Sequence, residues 1–140
     1  MEDKILVLRG LLEKAYRVES SFENEASFRA FMGELSEEQR GVLFKLMKDS
    51  EKHKVALEKI AADLKLNLDK TPEKFEFKDS RIFNEIYRLE LSAKALYEYI
   101  ATEFEAILGE NTKILRDIAK EEEGHAKLVE KFVDRTLRIL

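Results

Sequence analysis

Four stretches of this chain carry their core-type residues at alternating steps of three and four. The first runs through Ile5, Leu8, Leu12, Ala15, Glu19, Phe22 and Ala26, and the second through Leu43, Leu46, Ser50, His53, Leu57, Ile60 and Leu64. The third gives Phe83, Ile86, Glu90, Ala93, Tyr97, Ile100, Phe104 and Ile107; the fourth gives Leu115, Ile118, Glu122, His125, Val129, Phe132, Thr136 and Ile139. Such spacing returns to one side of an α-helix every seven residues, so each stretch presents a seam that must be buried against a partner. Four seams in 140 residues predict an all-α four-helix bundle forming one domain over 1–140, with helices at about 3–32, 37–65, 79–108 and 111–139. Composition agrees: charged residues are 39% and hydrophobic ones 44%, with only five Gly and one Pro, the balance of long amphipathic helices.

The breaks between helices are legible as well. Ser36 followed by Glu37, Glu38 and Gln39 has the form of a capping box opening the second helix, with Gly33 near the end of the first. Gly109 and Asn111 mark the turn between the last two. Residues 66–78, LNLDKTPEKFEFK, contain the one Pro and break the period. Extended, that segment reaches roughly 43 Å, and a helix of about 26 residues is roughly 39 Å long. The connection is long enough to return the third helix parallel to the second, which predicts two helical hairpins joined by a crossover. Phe75 and Phe77 within it read as capping an end of the bundle or touching a second subunit, and Phe28 and Phe31 as core or interface filling.

Several classes of function are excluded or disfavoured. A net charge of −4 gives no reason to expect nucleic-acid binding. With no Cys there is no disulfide, zinc knuckle or iron–sulfur site. The opening MEDKILVLRGLLEK lacks the apolar run and cleavage site of a signal peptide, and no stretch approaches 18 apolar residues. The expectation is a soluble, cytoplasmic protein without a membrane partner.

The residues that carry chemistry are the polar ones on the apolar seams: Glu19, Ser50 with His53, Glu90, and Glu122 with His125. Each set falls near the middle of its helix. Glu19 and His53 are 34 residues apart and Glu90 and His125 are 35, so the halves repeat with an offset of 71 or 72 residues. Glu122 and His125, at i and i+3, project from one face. A buried carboxylate beside a buried imidazole is costly without compensation, and a metal ion is the usual compensation. A lone Glu-x-x-His is common on charged helices, but four polar positions on four seams match the layout of carboxylate two-metal sites: one Glu from each of two helices and Glu-x-x-His from the others. The candidate metal ligands are therefore Glu19, His53, Glu90, Glu122 and His125. Asp49 and Glu51, each one residue from the seam, are expected to face away from it. The run Glu121–Glu123 and the stretch Lys45–Lys54 read otherwise as solvated helix faces, and Tyr97 as core packing, with a phenol beside the site as the alternative. No catalytic residue is assigned.

The segments AYRVESSF around Glu19, KDSEKHKVAL around His53, LELSAKALYEYIA around Glu90 and KEEEGHAKLVEKF around His125 resemble, in this order, the ferritin-like superfamily and within it the rubrerythrin-type branch. The resemblance covers nearly the whole chain, and its last two segments are the more specific. It implies a ferritin-like bundle and two iron ions, or iron with manganese, between the helices. Glu19 and Glu90 would be terminal ligands, His53 and His125 would bind one metal each, and Glu122 would bridge. Ser50 stands where the family has its second bridging Glu, and Ala93 where it has a further carboxylate. With three carboxylates in place of four, the second ion should bind more weakly. Either water, hydroxide or a small anion fills the gap, or a single ion binds at Glu90, Glu122 and His125. The resemblance further implies a homodimer and an oxidoreductase acting on peroxide or dioxygen, which without Cys would need an external electron donor. The alternatives are metal binding or storage without turnover, and a degenerate ferritin-like interaction domain.

Overall fold

The computed structural model describes residues 2–32, 35–71 and 81–134; within α1 it describes the side chains of residues 3–23. Gly33, Phe75, Phe77, Thr136 and Ile139, and most of the 66–78 connection, lie outside the described residues, as do the side chains of Ala26, Phe28 and Phe31. Every element among the described residues is helical: α1 Glu2–Met32, α2 Glu37–Asp63, α3 Ile82–Glu103, α4 Glu105–Leu108, α5 Asn111–Val129 and a 3₁₀ turn Glu130–Phe132. No helix among them is long and apolar enough to cross a membrane.

The ends of the helices follow local chemistry. Ser36 Oγ accepts from Gln39 N at 3.1 Å and Gln39 Oε1 accepts from Ser36 N at 3.0 Å, the reciprocal box that satisfies two orphan donors at the start of α2. α2 stops at Asp63, two residues before the expected end. There Lys65 turns left-handed (φ 57°), and the Leu66 and Lys65 amides return to Ala61 O and Ala62 O. This is a Schellman closure built on Lys rather than on the usual Gly. The third helix is not continuous to 108: it breaks at Phe104 (φ −115°, ψ 21°), and the short α4 ends on Gly109, whose φ of 58° favours glycine.

The fourth helix was expected to reach 139, but α5 ends at Val129. The chain tightens into the 3₁₀ turn and turns extended at Val133. Packing explains the stop. Phe132 lies 4.8 Å from Phe83, centroid to centroid, Asn84 Oδ1 accepts from Asp134 N, and Arg81 pairs with Asp134. These contacts draw the chain onto the start of α3, where a continued helix would carry it past.

α1 packs chiefly on α2, and α3 on α5. Both pairs are antiparallel: Tyr16 bonds to Glu58 while the later Glu23 meets the earlier Lys54, and Arg81 meets Asp134 while Glu105 meets Arg116. The apolar interior forms two clusters. One holds Leu8, Leu12 and Ala15 from α1, Leu57 and Ile60 from α2, Tyr97 and Ile100 from α3, and Leu115 and Ile118 from α5. The other holds Phe22, Leu43 and Leu46, Ile82, Phe83 and Ile86, and Val129. Burying each such side chain contributes about 1.5–3 kcal/mol against exposure. Between the clusters the seam positions of the four long helices are polar and buried: Glu19, Ser50 and His53, Glu90, and Glu122 and His125.

Candidate metal centre

Midway along the bundle each long helix brings polar side chains inward: Glu19 from α1, Ser50 and His53 from α2, Glu90 from α3, Glu122 and His125 from α5. All are buried. The heptad-like seams place them there, since each falls on the same stripe as the leucines and isoleucines above and below it.

The side chains converge on Glu122. His53 Nδ1 lies 3.0 Å from Glu122 Oε1 and donates to Glu19 Oε1 at 3.2 Å. His125 Nδ1 lies 3.6 Å from the same Glu122 oxygen and donates to Glu90 Oε2 at 3.3 Å. The imidazoles are stacked, with centroids 6.1 Å apart. Two sets of buried donors result, Glu19–His53–Glu122 and Glu90–Glu122–His125, and in each the three ligand atoms lie within 4.8 Å of one another. Glu122 belongs to both. The Ser50 hydroxyl is close enough to Glu19 to favour its ionised form. The structure thus gathers all five residues singled out in the sequence, with Ser50 among them.

The far sides of the imidazoles show what the sequence reading missed. His125 Nε2 donates to Asp49 Oδ2 at 2.7 Å, and His53 Nε2 donates to Glu121 Oε2 at 2.5 Å. Each imidazole is held by a carboxylate from the helix opposite: Asp49 on α2 holds His125 of α5, and Glu121 on α5 holds His53 of α2. Asp49 was expected to face away and Glu121 to be ordinary solvated surface. Both sit beside the seam, where a carboxylate is long enough to reach the neighbouring helix. A signal existed: the 72-residue offset that aligns Ser50 with Glu122 also aligns Asp49 with Glu121. The two differ in setting. The Asp49 side chain is 11% exposed and pairs with Lys45 and Lys52; that of Glu121 is 53% exposed.

Tyr97 is core, as expected, and also part of the polar layer. Its hydroxyl donates to Glu19 Oε1 at 3.0 Å, and its ring stands edge-on to His53. Lys54, within a stretch read as solvated, is mostly buried between Glu23 at 2.6 Å and Glu51 at 3.1 Å.

Electrostatics follow from burial set against pairing. Desolvation opposes charge on both imidazoles, but hydrogen bonds to carboxylates outweigh it: Glu122 and Glu19 raise His53 to about 11, and Glu122 and Glu90 raise His125 to about 10. Burial likewise opposes charge on Glu122, yet the hydrogen bonds from His125, His53 and Glu90 bring it down to about 2. Glu19 and Glu90 shift upward because burial dominates. Without metal these shifts favour charged imidazoles on either side of an ionised Glu122.

No family model, no curated protein and no solved structure matches this chain.

The donor set fits a metal ion. Carboxylate oxygen with imidazole nitrogen suits iron, manganese and zinc. The Nδ1 atoms face the carboxylate cage, and each Nε2–H is engaged outward, the arrangement that fixes tautomer and ring orientation in a histidine ligand.

Proposed function

We propose that this chain is a ferritin-like, rubrerythrin-type protein that binds two divalent ions, iron or iron with manganese, and acts as an oxidoreductase on peroxide or dioxygen. One observation carries the reading: two buried donor triads on four helices share a single carboxylate, Glu122. The crossover topology is supported by the core clusters. The starts of α2 and α3 both contribute to the cluster around Phe22, and their ends both contribute to the one around Leu12. A parallel α2 and α3 need a connection the length of the bundle. The homodimer and the external electron donor belong to the same proposal.

In this reading Glu19 and His53 would hold one ion and Glu90 and His125 the other, with Glu122 available to both. Bound ions would supply Lewis acidity and electrons for the oxidant. The chain's own residues do the rest. His53 and His125 would give up the proton on Nδ1, which already faces the cage, while Glu121 and Asp49 keep each ring in place through Nε2–H. Tyr97 holds one Glu19 oxygen. The leucine and isoleucine clusters on either side exclude water from the layer.

The test is metal content per chain by plasma mass spectrometry after anaerobic loading with Fe(II) and, separately, Mn(II), followed by peroxide consumption with a chemical reductant. Two ions and turnover support the proposal; a folded protein that takes up none overturns it. Ser50 favours a second reading, in which metal is held without turnover, because the cage has one carboxylate fewer than the family's. Two ions without peroxide consumption would select it. One ion per chain would select a single site at Glu90, Glu122 and His125, where the supporting Asp49 is the better buried of the two outer carboxylates.

A further inference from the structure

Among the three inward carboxylate positions of the polar layer and their repeat, Ser50 is where the halves fail to match. The hydrogen bonds Asp49–His125 and Glu121–His53 lie on either side of it and lock α2 against α5. Asp49 immediately precedes Ser50, and Glu121 immediately precedes Glu122, so these bonds bring Ser50 and Glu122 to the same level of the bundle on facing helices. Ser50 is buried near Glu19, whose ionised form it favours. Where α5 extends a carboxylate into the cage, α2 offers a short hydroxyl.

Two divalent ions bring four positive charges, and the cage carboxylates Glu19, Glu90 and Glu122 bring three negative ones. Asp49 and Glu121 stand behind the imidazoles, the first shared with Lys45 and Lys52 and the second open to solvent, so neither neutralises the cage from within. In a low-dielectric layer an unmatched unit of charge is costly. Counting one atom per residue, each triad offers three donors, one short of even a four-coordinate ion. A singly charged group with two oxygen atoms, placed opposite Glu122, would correct both deficits.

We infer that the position of Ser50, across from Glu122, is where a small bidentate oxyanion, of the size and charge of free acetate or bicarbonate, would complete the cage around the metal pair. This rests on the metal reading above and deepens it. With Glu19 taken up by an ion, the Ser50 hydroxyl turns its one proton from Glu19 to the anion, and binding of anion and second ion is mutually reinforcing.

The experiment is a calorimetric titration of the full chain with Mn(II), in a non-coordinating, bicarbonate-depleted buffer, with and without added acetate and, separately, bicarbonate. The wild type should take up the second ion at least tenfold more tightly with one of the anions present. Ser50→Glu should bind two ions tightly in plain buffer and ignore added anion; Ser50→Ala should respond to anion more weakly than the wild type. Circular dichroism checks that each variant is folded, and the Ser50→Ala comparison stands if Ser50→Glu does not fold. A wild type that binds two ions equally well with and without anion overturns this inference and leaves the metal reading intact. So does a Ser50→Glu protein that still depends on anion. If neither the wild type nor Ser50→Glu binds Mn(II), the metal reading falls and this inference with it.

Discussion

The α1–α2 and α3–α5 hairpins are built to one plan and finished differently. Both place a Glu and a His across an antiparallel pair, and both send a carboxylate from beside the seam to the other hairpin's imidazole. They differ in three respects. α5 supplies Glu122 where α2 supplies Ser50. The carboxylate that α2 lends, Asp49, is buried and flanked by lysines, whereas the one α5 lends, Glu121, is half in solvent. Beside the layer, the first hairpin clamps Lys54 between Glu23 and Glu51, while at corresponding positions the second pairs Lys94 with Glu123 near the surface. Repetition of a frame does not make its sites equal. The two sides offer equal ligand sets, but the His125 side has the more protected support.

The largest effect should come from the residue the halves share. Glu122→Ala is expected to take metal content from two ions per chain to none, with helicity by circular dichroism retained; His125→Ala should leave no more than one. Normal loading of either variant would remove the basis for treating the layer as a metal centre. The outer carboxylates test the inequality itself. Asp49→Ala should weaken metal binding by about 10- to 100-fold, the usual range for a group orienting a histidine ligand, and Glu121→Ala by less. Equal losses would erase the distinction between the halves.

Acidity separates metal-free from metal-loaded protein. With His53 raised to about 11 and His125 to about 10 against an unfolded value of about 6.5, their pairing stabilises the metal-free fold fully below pH ~6.5. That contribution is lost as pH rises through the folded values. Glu19 and Glu90, shifted upward by burial, act in the same direction above the ordinary carboxyl range. Glu122 works the other way, its contribution disappearing as pH falls toward 2. Metal-free protein should therefore unfold at lower urea near pH 9 than near pH 6. Metal affinity should show the reverse trend, because each ion displaces protons. A metal-free protein with flat stability over that interval would mean that the imidazoles are not held charged.

Tyr97→Phe is a smaller change. It removes one hydrogen bond to Glu19, for about 1 kcal/mol in denaturant unfolding, and should weaken the His53-side ion more than the other. Lys94→Ala, at a partly exposed ion pair, should shift stability by no more than about 0.5 kcal/mol.

The sequence made the long helices and the five inward-facing donors legible because burial writes itself as a period: Glu19, His53, Glu90, Glu122 and His125 occupy seam positions that leucine would otherwise take. It was silent on contacts made from the seam's edge. Asp49 and Glu121 lie roughly 100° from a core position, and only the distance to the next helix decides that they turn inward. Helix ends were the other loss. Nothing in the period through Leu115, Val129 and Phe132 announces that Phe132 will dock on Phe83 and stop α5, nor that Phe104 will interrupt the third helix, since neither break has a Pro or a Gly at it. Lys65 hides its turn likewise, holding a left-handed conformation that glycine adopts more easily.

The division of the interior into two oily clusters with a polar layer between them bears on how the helices find their alignment. Leucine packed on leucine tolerates sliding; a helix shifted by one turn, about 5.4 Å, meets much the same surface again. The polar layer does not. Slipped by a turn, His53 loses Glu121 and Glu122, His125 loses Asp49, and several ionised groups are stranded in an apolar medium at a cost of several kcal/mol. The layer is thus a ruler as well as a receptacle: it gives four otherwise interchangeable seams a single vertical setting.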